Sequence, residues 1–395
     1  MKTDRHKSQL VPNLRFPGFE GEWREAKLGE SCRILMCKRI LAAQTNPDGG
    51  VPFYKIGTVG GVADAYISQQ LFESYRAKYN YPKKGEILIT CAGTVGKSYI
   101  FNGEDSYFQD SNIVWVDNPT ELIQNSFLFY LLSIKNWGKL NSTTITRIYN
   151  DNLKALDIVY PGQAEQQKII SLLTLIDSRL STQNKIIEQL ESLIKGLCVY
   201  IYRLQDKRSF RVAELGCRYN AILLSKEDLS DEGNECIIYG ELFTKYGCVI
   251  DKIQSKTKKS CNAGSLSKGH DILFPASTTV DAVSLIAPSA LNDKDIILGG
   301  DMFGITINKE FNNEAISYII NYVYKYKLAK YAQGSTIVHI YYDDIKNVEI
   351  FLPNKHAQDS LAGIMRCLSA RIETEKNILL KFKMQKEYFL QNLFI

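Results

Sequence analysis

The segment GSTIVHIYYDDIKNVEIFLP, residues 334–353, has an earlier counterpart in STTITRIYNDNLKALDIVYP, residues 142–161. At a constant offset of 192 positions (336 − 144 = 192), eight of the twenty residues are identical without a gap. The identical pairs include Tyr149 with Tyr341 and Pro161 with Pro353. A repeat of this kind constrains the architecture before any single motif does. The sequence therefore predicts one fold used twice.

Both copies continue after their proline into a helical pattern at the same offset. Apolar residues recur in alternating steps of four and three, which is the seam of a coiled coil. The first seam is Ile169, Leu173, Ile176, Leu180, Gln183, Ile187, Leu190, Ile194, Leu197 and Ile201. The second is Leu361, Met365, Leu368, Ile372, Glu375, Leu379, Phe382, Lys386, Phe389 and Leu393, with a fault at Lys386.

One polar residue lies near the middle of each seam, Gln183 in the first helix and Glu375 in the second. In an antiparallel pair the midpoints meet, so these two side chains would face each other and fix the register. A parallel pair could also align them. Because a compact domain lies between the helices in the chain, connectivity favours the antiparallel arrangement.

The segments that precede the helices contain short apolar or alternating runs between turn residues, a pattern typical of strands. Examples are GEILIT, SNIVWV, HDILFP and FGITIN. We predict an α+β fold with a pseudo-two-fold internal repeat, in which two long antiparallel coiled-coil helices separate two mixed α/β domains. The predicted domains span residues 12–162 and 205–353, and the predicted helices span residues 163–204 and 354–395.

Composition describes an ordinary globular protein of 395 residues, 45% apolar and 23% charged. The sequence contains neither a membrane-spanning apolar run nor the apolar core of a secretory signal, so we expect a cytoplasmic location. The nine cysteines form no CxxC pair, which favours reduced thiols over a zinc site or a disulfide framework. A net charge of +5 permits nucleic-acid binding without demonstrating it.

The segment CAGTVGKS, residues 91–98, resembles a phosphate-binding loop, but Cys91 stands where that motif requires its first glycine. The following residues also read as a strand and turn rather than a helix. Asp343 and Asp344 fall on an alternating run, where two neighbouring carboxylates would point to opposite faces of a strand. We therefore expect no catalytic residue and no metal site, and favour a binding or scaffolding role.

With the repeat and the helices established, the sequence resembles the specificity subunits of type I restriction-modification enzymes. The residues that carry the resemblance are PNLRFPGFEGEWREAKLGE (12–30), the strand KGEILIT, and LDIVYPGQAEQQKIISLLTLIDSRL (156–180). The second copy has NKHAQDSL in place of GQAEQQKI at the start of its helix. Partner contacts that the family makes there are therefore carried over less directly to the second helix than to the first.

The resemblance implies a non-catalytic subunit with two target-recognition domains, each reading one half of a bipartite double-stranded DNA target. It implies that the paired helices set the gap between half-sites and dock two methyltransferase subunits. Those partners would carry S-adenosylmethionine, and restriction or motor subunits would use ATP and Mg²⁺, with no cofactor on this chain.

Candidate DNA contacts follow from comparing the two halves. Polar residues at equivalent places before the last strand suit phosphate contacts, which are common to all sequences, although they could instead cap turns. These are Thr143, Thr144 and Arg147 in the first half, and Ser335, Thr336 and His339 in the second. For base reading we select positions where the halves differ. These are Lys55, Thr58, Thr94, Lys97 and Ser98, against Lys256, Lys258, Ser277, Thr278 and Thr279.

Two other functions remain open from the sequence. A coiled-coil adaptor between proteins would need the helices but no DNA recognition. A nucleotide-hydrolysing enzyme would depend on Lys97 alone.

Overall fold

The structure, a computed structural model, describes residues 10–137 and 147–395. It divides into two compact units: the residues up to Thr182 together with Ile378–Ile395, and the residues Gln183–Asn377. Each unit contains one mixed α/β domain and half of each long helix. The described residues include no helix both long and apolar enough to cross a membrane.

Among its described residues the first unit contains nine strands, four short α-helices, the beginning of one long helix and the end of the other, Ile378–Asn392. The strands are β1 Arg24–Lys27, β2 Arg33–Leu35, β3 Val51–Tyr54, β4 Tyr66–Ile67, β5 Ile87–Thr90, β6 Ser98–Ile100, β7 Tyr107–Phe108, β8 Ile113–Asp117 and β9 Asp157–Tyr160. The helices are α1 Leu28–Ser31, α2 Gln69–Lys78, α3 Asn125–Ser133, α4 Asn150–Lys154 and the beginning of α5 Gln163–Leu204. The sheets have the orders β2-β8-β5-β6, β4-β3-β7 and β1-β9.

The central strands of the first domain are buried on both faces. Successive side chains of a strand point to opposite sides, and β5 accordingly divides its residues between two cores. Ile87 and Ile89 pack with α3 residues such as Phe127, whereas Leu88 packs with residues of β3 and β7. The predicted strands GEILIT and SNIVWV are therefore confirmed as β5 and β8, at the centre of this domain.

The second unit is richer in strands. They are β10 Lys207–Arg211, β11 Gly216–Asn220, β12 Leu229–Ser230, β13 Asn234–Ile238, β14 Val249–Ile250, β15 Ser255–Thr257, β16 Leu266–Lys268, β17 Asp271–Pro275, β18 Ser277–Thr278, β19 Ser289–Leu291, β20 Lys294–Gly299, β21 Met302–Ile307, β22 Val338–His339 and β23 Glu349–Pro353. The helices are α6 Glu241–Thr244, α7 Ala282–Leu285, α8 Asn313–Ile319, α9 Lys325–Ala329, α10 Tyr342–Ile345 and α11 Lys355–Asn392. The sheets have the orders β11-β21-β17-β19-β14, β12-β15-β13-β20-β16, β10-β23 and β18-β22.

The repeat predicted from sequence is confirmed at the entrance to each long helix. In the first unit β1 pairs antiparallel with β9, and in the second β10 pairs antiparallel with β23. A fully buried glutamine follows each proline. Gln166 Oε1 accepts from the Gln124 N–H at 2.8 Å and its Nε2 donates to the Pro161 carbonyl at 2.9 Å. Gln358 repeats both bonds, with Asn312 and Pro353. The same polar bridge therefore fixes each domain to its helix.

The long helices follow the predicted pattern, with 42 residues in α5 and 38 in α11. Every position of the two predicted seams is buried or partly buried. In the first unit Asp177 pairs with Lys386, and the earlier residue Leu173 shares a core with the later residue Leu393, so the helices run antiparallel. Lys386, the charged residue that interrupts the apolar seam, thus has its charge paired, with its Nζ 2.5 Å from Asp177 Oδ1.

The two polar seam residues meet in the second unit. Gln183 Nε2 donates to the Glu375 carboxylate and to the Glu375 main-chain oxygen, the latter at 3.1 Å. Both residues are buried, and Arg371, one turn before Glu375, pairs with its carboxylate at 2.5 Å. The charge is thus compensated within the helix pair, as a buried carboxylate requires.

The prediction of a strand at Asp343 and Asp344 is wrong, because Tyr342–Ile345 forms the short helix α10. The Asp344 carboxylate accepts the Tyr341 N–H at 2.7 Å, which stabilises the first turn. Asp343 bonds Lys346, and this bond lowers the pKa of the Asp343 carboxyl group. The first half has the equivalent helix α4, where Asn152 accepts the Tyr149 N–H.

Candidate nucleic-acid interface

In both domains the segment that carries the polar candidates before the last strand, residues 147–149 and 339–341, hydrogen-bonds to the chain just after β5 or β17. The Ile148 N–H donates to the Cys91 carbonyl at 2.9 Å, and the Ile340 N–H donates to the Ala276 carbonyl at 2.9 Å. Ile148 and Ile340 are equivalent in the repeat. The segments that follow β5 and β17, residues 91–97 and 276–282, therefore occupy corresponding places, but the first is a hairpin loop and the second contains β18 and leads into α7.

Six of the candidates in the second half lie on or beside one pair of short strands, and five of them are at the surface. Strand β18 pairs antiparallel with β22, so that Ser277 lies opposite His339 and Thr278 opposite Val338. Backbone bonds of 2.8 and 2.7 Å between Gln333 and His339 close the turn that precedes β22. The surface, which we call the β18–β22 face, comprises Thr278, Thr279, Ser335, Thr336 and His339, whereas Ser277 on the same strand is buried and is not part of it.

The candidate lysines of the second half lie elsewhere in its domain. Lys256 belongs to β15, in the five-stranded sheet that also contains β13 and β20, and Lys258 follows that strand. Lys256 lies opposite Glu235, and Lys258 lies 3.8 Å from Glu232. Both side chains are exposed. The structure thus separates the lysines from the β18–β22 face by placing them on a different sheet.

In the first half Arg147 connects the polar segment with a neighbouring loop. Its Nη2 donates to the Ser111 carbonyl at 3.2 Å, and its guanidinium lies 5.7 Å from the centre of the Tyr149 ring. Ser111 has a positive φ of 54°, which an L-residue adopts at some energetic cost. The equivalent candidates Thr143 and Thr144 lie outside the described residues.

Ser111 also lines an open cleft of about 350 Å³. Its lining includes Lys55, Arg39 and Gln109, so Lys55 and Arg147 are linked through one loop. The Lys55 ammonium lies 3.0 Å from Asp64, and the Lys55 N–H donates to Thr58 Oγ1 at 3.0 Å. Thr58 therefore shapes the turn that presents Lys55.

The hairpin loop 91–97 joins antiparallel strands β5 and β6, and no helix follows it. Thr94 and Lys97 are exposed on this loop, and Ser98, at the start of β6, donates to the Gly96 carbonyl at 3.2 Å. Gly96 has φ +81° and a side chain there would collide with the Trp137 ring. Because a phosphate-binding loop must lead into a helix N-terminus, the nucleotide-binding interpretation of Lys97 is wrong.

Some residues beside the candidates were not selected from the sequence. Tyr149 and Tyr341 are 63% and 50% exposed, and each ring lies against the basic candidate two residues earlier. Their identity in the repeat was the available signal. For Arg39 and Asp301 the sequence offered no such signal. Only the fold brings Arg39 to the cleft, and only the fold brings the Asp301 carboxylate to within 3.5 Å of His339 Nδ1.

The cysteines lie mostly in the cores. Burial raises the pKa of Cys91 to about 11 and that of Cys37 to about 12, so these thiols stay protonated near neutral pH. All nine are free. Within residues 10–137 and 147–395, no three His, Cys, Asp or Glu side chains group so that they could hold a metal ion.

Two copies of one α+β domain, each continuing into a long helix, define a duplicated-domain protein whose surface carries residue types that contact nucleic acid. A family model described as the type I restriction modification DNA specificity domain matches residues 20–192 and 207–383. These matches cover most of the chain. The chain therefore belongs to this family, the specificity subunits of type I restriction-modification systems.

Similar proteins agree with that assignment. A putative type I restriction enzyme specificity subunit of Haemophilus influenzae is 53% identical over 147 residues, which are 37% of this chain and only 38% of that protein. A putative specificity subunit of Methanocaldococcus jannaschii is 23% identical, covering 90% of this chain and 88% of its own length.

Among solved structures, the S subunit of a type I restriction-modification system from M. genitalium superimposes with a TM-score of 0.60 at 15% identity. The superposition covers 98% of this chain and 99% of that one. A chain from a study of type I complex assembly has a TM-score of 0.57, also at 15% identity, covering 97% of this chain and 99% of that one. These two likenesses show a shared fold.

Proposed function

We propose that this chain gives a type I restriction-modification complex its DNA sequence specificity, with each domain reading one half of a bipartite double-stranded target. The observation that carries the proposal is the contrast between the repeated frame and the divergent surfaces. Both domains keep the strand pair, the buried glutamine and the loop contact described above. On that frame the first domain presents Lys55, Thr94 and Lys97, while the second presents the β18–β22 face.

The chemistry of these side chains supports DNA as the ligand. Hydroxyl, ammonium and guanidinium groups donate to phosphate oxygens and to base edges. Because the two surfaces differ in charge and in residue type, they suit two different half-sites. The polar segment common to both domains suits the phosphates, and the dissimilar loops suit the bases.

The long helices would fix the separation of the half-sites and dock two methyltransferase subunits. Exposed apolar side chains support a docking role. Leu380, Met384 and Tyr388 are 55%, 60% and 56% exposed and recur every four residues, which places them on one stripe of α11. Such a stripe is the kind of surface that a partner protein covers. Restriction or motor subunits would join the same complex.

We assign a recognition role and no catalytic step to this chain. The candidate residues act by binding and positioning. Adenine methylation, with S-adenosylmethionine, belongs in this proposal to the methyltransferase partners, and ATP and Mg²⁺ belong to the motor subunits. No cofactor is assigned to this chain.

Binding and methylation test the proposal together. The isolated chain should bind duplex DNA with an affinity that falls steeply as salt rises, because phosphate contacts release counterions. Assembled with its methyltransferase, it should direct methylation to adenines within a split sequence motif. If the assembled complex methylated adenines without sequence preference, the adaptor function would replace this proposal.

A further inference from the structure

The two halves share a small feature that the repeat preserves where the surrounding surface diverges. Tyr149 and Tyr341 are equivalent and identical, whereas the basic residues two positions earlier, Arg147 and His339, differ. In the first half the guanidinium lies 5.7 Å from the tyrosine ring centre. In the second the imidazole stacks on the ring at 5.9 Å with an interplanar angle of 15°. Each domain thus carries one basic group stacked on a tyrosine.

Local folding does not require the tyrosine side chain at these positions. Each tyrosine precedes a short helix, and the bond that stabilises the helix start uses the tyrosine backbone. The Tyr149 N–H donates to Asn152 at 3.0 Å, and the Tyr341 N–H donates to Asp344 at 2.7 Å. Any residue with an N–H group would make this bond. Both tyrosines are largely exposed, at 63% and 50%, and the Tyr341 hydroxyl lies 3.3 Å from His339 Nδ1, which also faces the Asp301 carboxylate at 3.5 Å.

The pair lies beside the segments that carry candidate DNA contacts. Ile148 and Ile340, which lie between the two members of each pair, hydrogen-bond to Cys91 and Ala276, at the start of the segments that carry Thr94 and Thr279. The pair and the segment therefore belong to one surface in each domain. A group retained in both domains must contact something that both half-sites have in common, and unlike half-sites share only their sugar-phosphate backbone.

We infer that Arg147 with Tyr149, and His339 with Tyr341, are equivalent phosphate contacts, one in each domain, which set the domain on the DNA without reading its sequence. The tyrosine hydroxyl and the basic N–H donate to oxygens of one phosphodiester. The stacking fixes both donors in direction before DNA arrives. This inference rests on the proposed function, since it assumes that these surfaces meet DNA.

The test uses the full chain assembled with its methyltransferase partners, titrated with two duplexes at several salt concentrations. One duplex contains the target and the other has both half-sites scrambled. Arg147→Gln should weaken binding to both duplexes equally and reduce the slope of log affinity against log salt by about 1, because one phosphate contact is lost. Tyr149→Phe and Tyr341→Phe keep the ring and should each weaken both duplexes by about tenfold.

Tyr326→Phe provides a matched control, because this tyrosine is 69% exposed on helix α9 and should leave affinity unchanged. Variants that bind both duplexes as tightly as the parent would overturn the inference. So would a loss confined to the target duplex, which would make these residues base readers. If the parent complex bound both duplexes with equal affinity, that result would contradict the proposed function instead. The difference in salt slope between the parent and Arg147→Gln would still decide whether Arg147 contacts phosphate.

Discussion

Replacing Gln166 by alanine should loosen the first domain from the helix that follows it. The Gln166 side chain is fully buried and bonds the Gln124 N–H, the Pro161 carbonyl and the Leu122 carbonyl at 2.8, 2.9 and 3.0 Å. Truncation leaves the Gln124 N–H and the Pro161 carbonyl without this partner, whereas the Leu122 carbonyl keeps the bond that it accepts from Gln163 at 2.9 Å. At about 1–3 kcal/mol for each unsatisfied buried group, with some relief from entering water, the expected local cost is about 2–4 kcal/mol.

Amide hydrogen exchange at Gln124 measures this cost where it arises. The parent should protect that N–H, because it donates into a buried side chain and lies at the start of α3. A loss of 3 kcal/mol of local stability should speed its exchange by about 150-fold, at tenfold per 1.4 kcal/mol. Asn312 should respond in the same way to Gln358→Ala, since Gln358 receives that N–H at 2.8 Å.

Gln167→Ala is the matched control, because this neighbouring glutamine is exposed and its side chain donates to Ser171 Oγ at 3.3 Å. It should change the free energy of unfolding by no more than about 0.5 kcal/mol. Equal protection of Gln124 in the parent and in Gln166→Ala would refute the bridge as a stabilising feature.

Three further changes test the helices. Gln183→Leu should destabilise the second unit by about 2 kcal/mol in urea unfolding, because the buried Glu375 residue loses the Gln183 donor and keeps the Arg371 ion pair. Adding Glu375→Leu should recover most of that loss, and equal stability of the single and double variants would contradict this. Phe394→Ala should lower the free energy of unfolding by about 3–5 kcal/mol, because the ring is 4% exposed and its centre lies 5.0 Å from that of the Phe127 ring. Ile395→Ala, at a 39% exposed site, should change the free energy of unfolding little in the same urea experiment. Inserting one heptad in each helix adds about 10 Å and should widen the gap between methylated half-sites by roughly three base pairs, and an unchanged gap would argue against helices that set it.

Sequence reasoning was strongest where a repeated pattern met a periodic one. The shared segment before each proline located the strands β9 and β23, and the steps of four and three located the buried seams of α5 and α11. Even the polar seam positions carried usable information. Gln183 and Glu375 were expected to meet, and they hydrogen-bond.

Prediction from the sequence was weakest where local capping or long-range strand pairing decided the structure. The residues around Asp344 alternate like a strand, yet the bond from the Tyr341 N–H to its carboxylate favours a helical turn. The pairing of β18 with β22 places Ser277 opposite His339, 62 positions later in the chain (339 − 277 = 62). No local sequence pattern indicates that pairing. The same limit applied to Arg39, which reaches the cleft beside Lys55 only through the fold.

Exchanging one recognition domain shows whether each domain reads its own half-site. Residues 12–162 would be replaced by the corresponding domain of a family member with a known target, and methylated adenines would be sequenced in cells that carry the assembled complex. We expect a hybrid motif, in which one half-site changes to that of the donor while the other half-site and the gap stay as in the parent. An unchanged methylation pattern, or one with no motif, would contradict it.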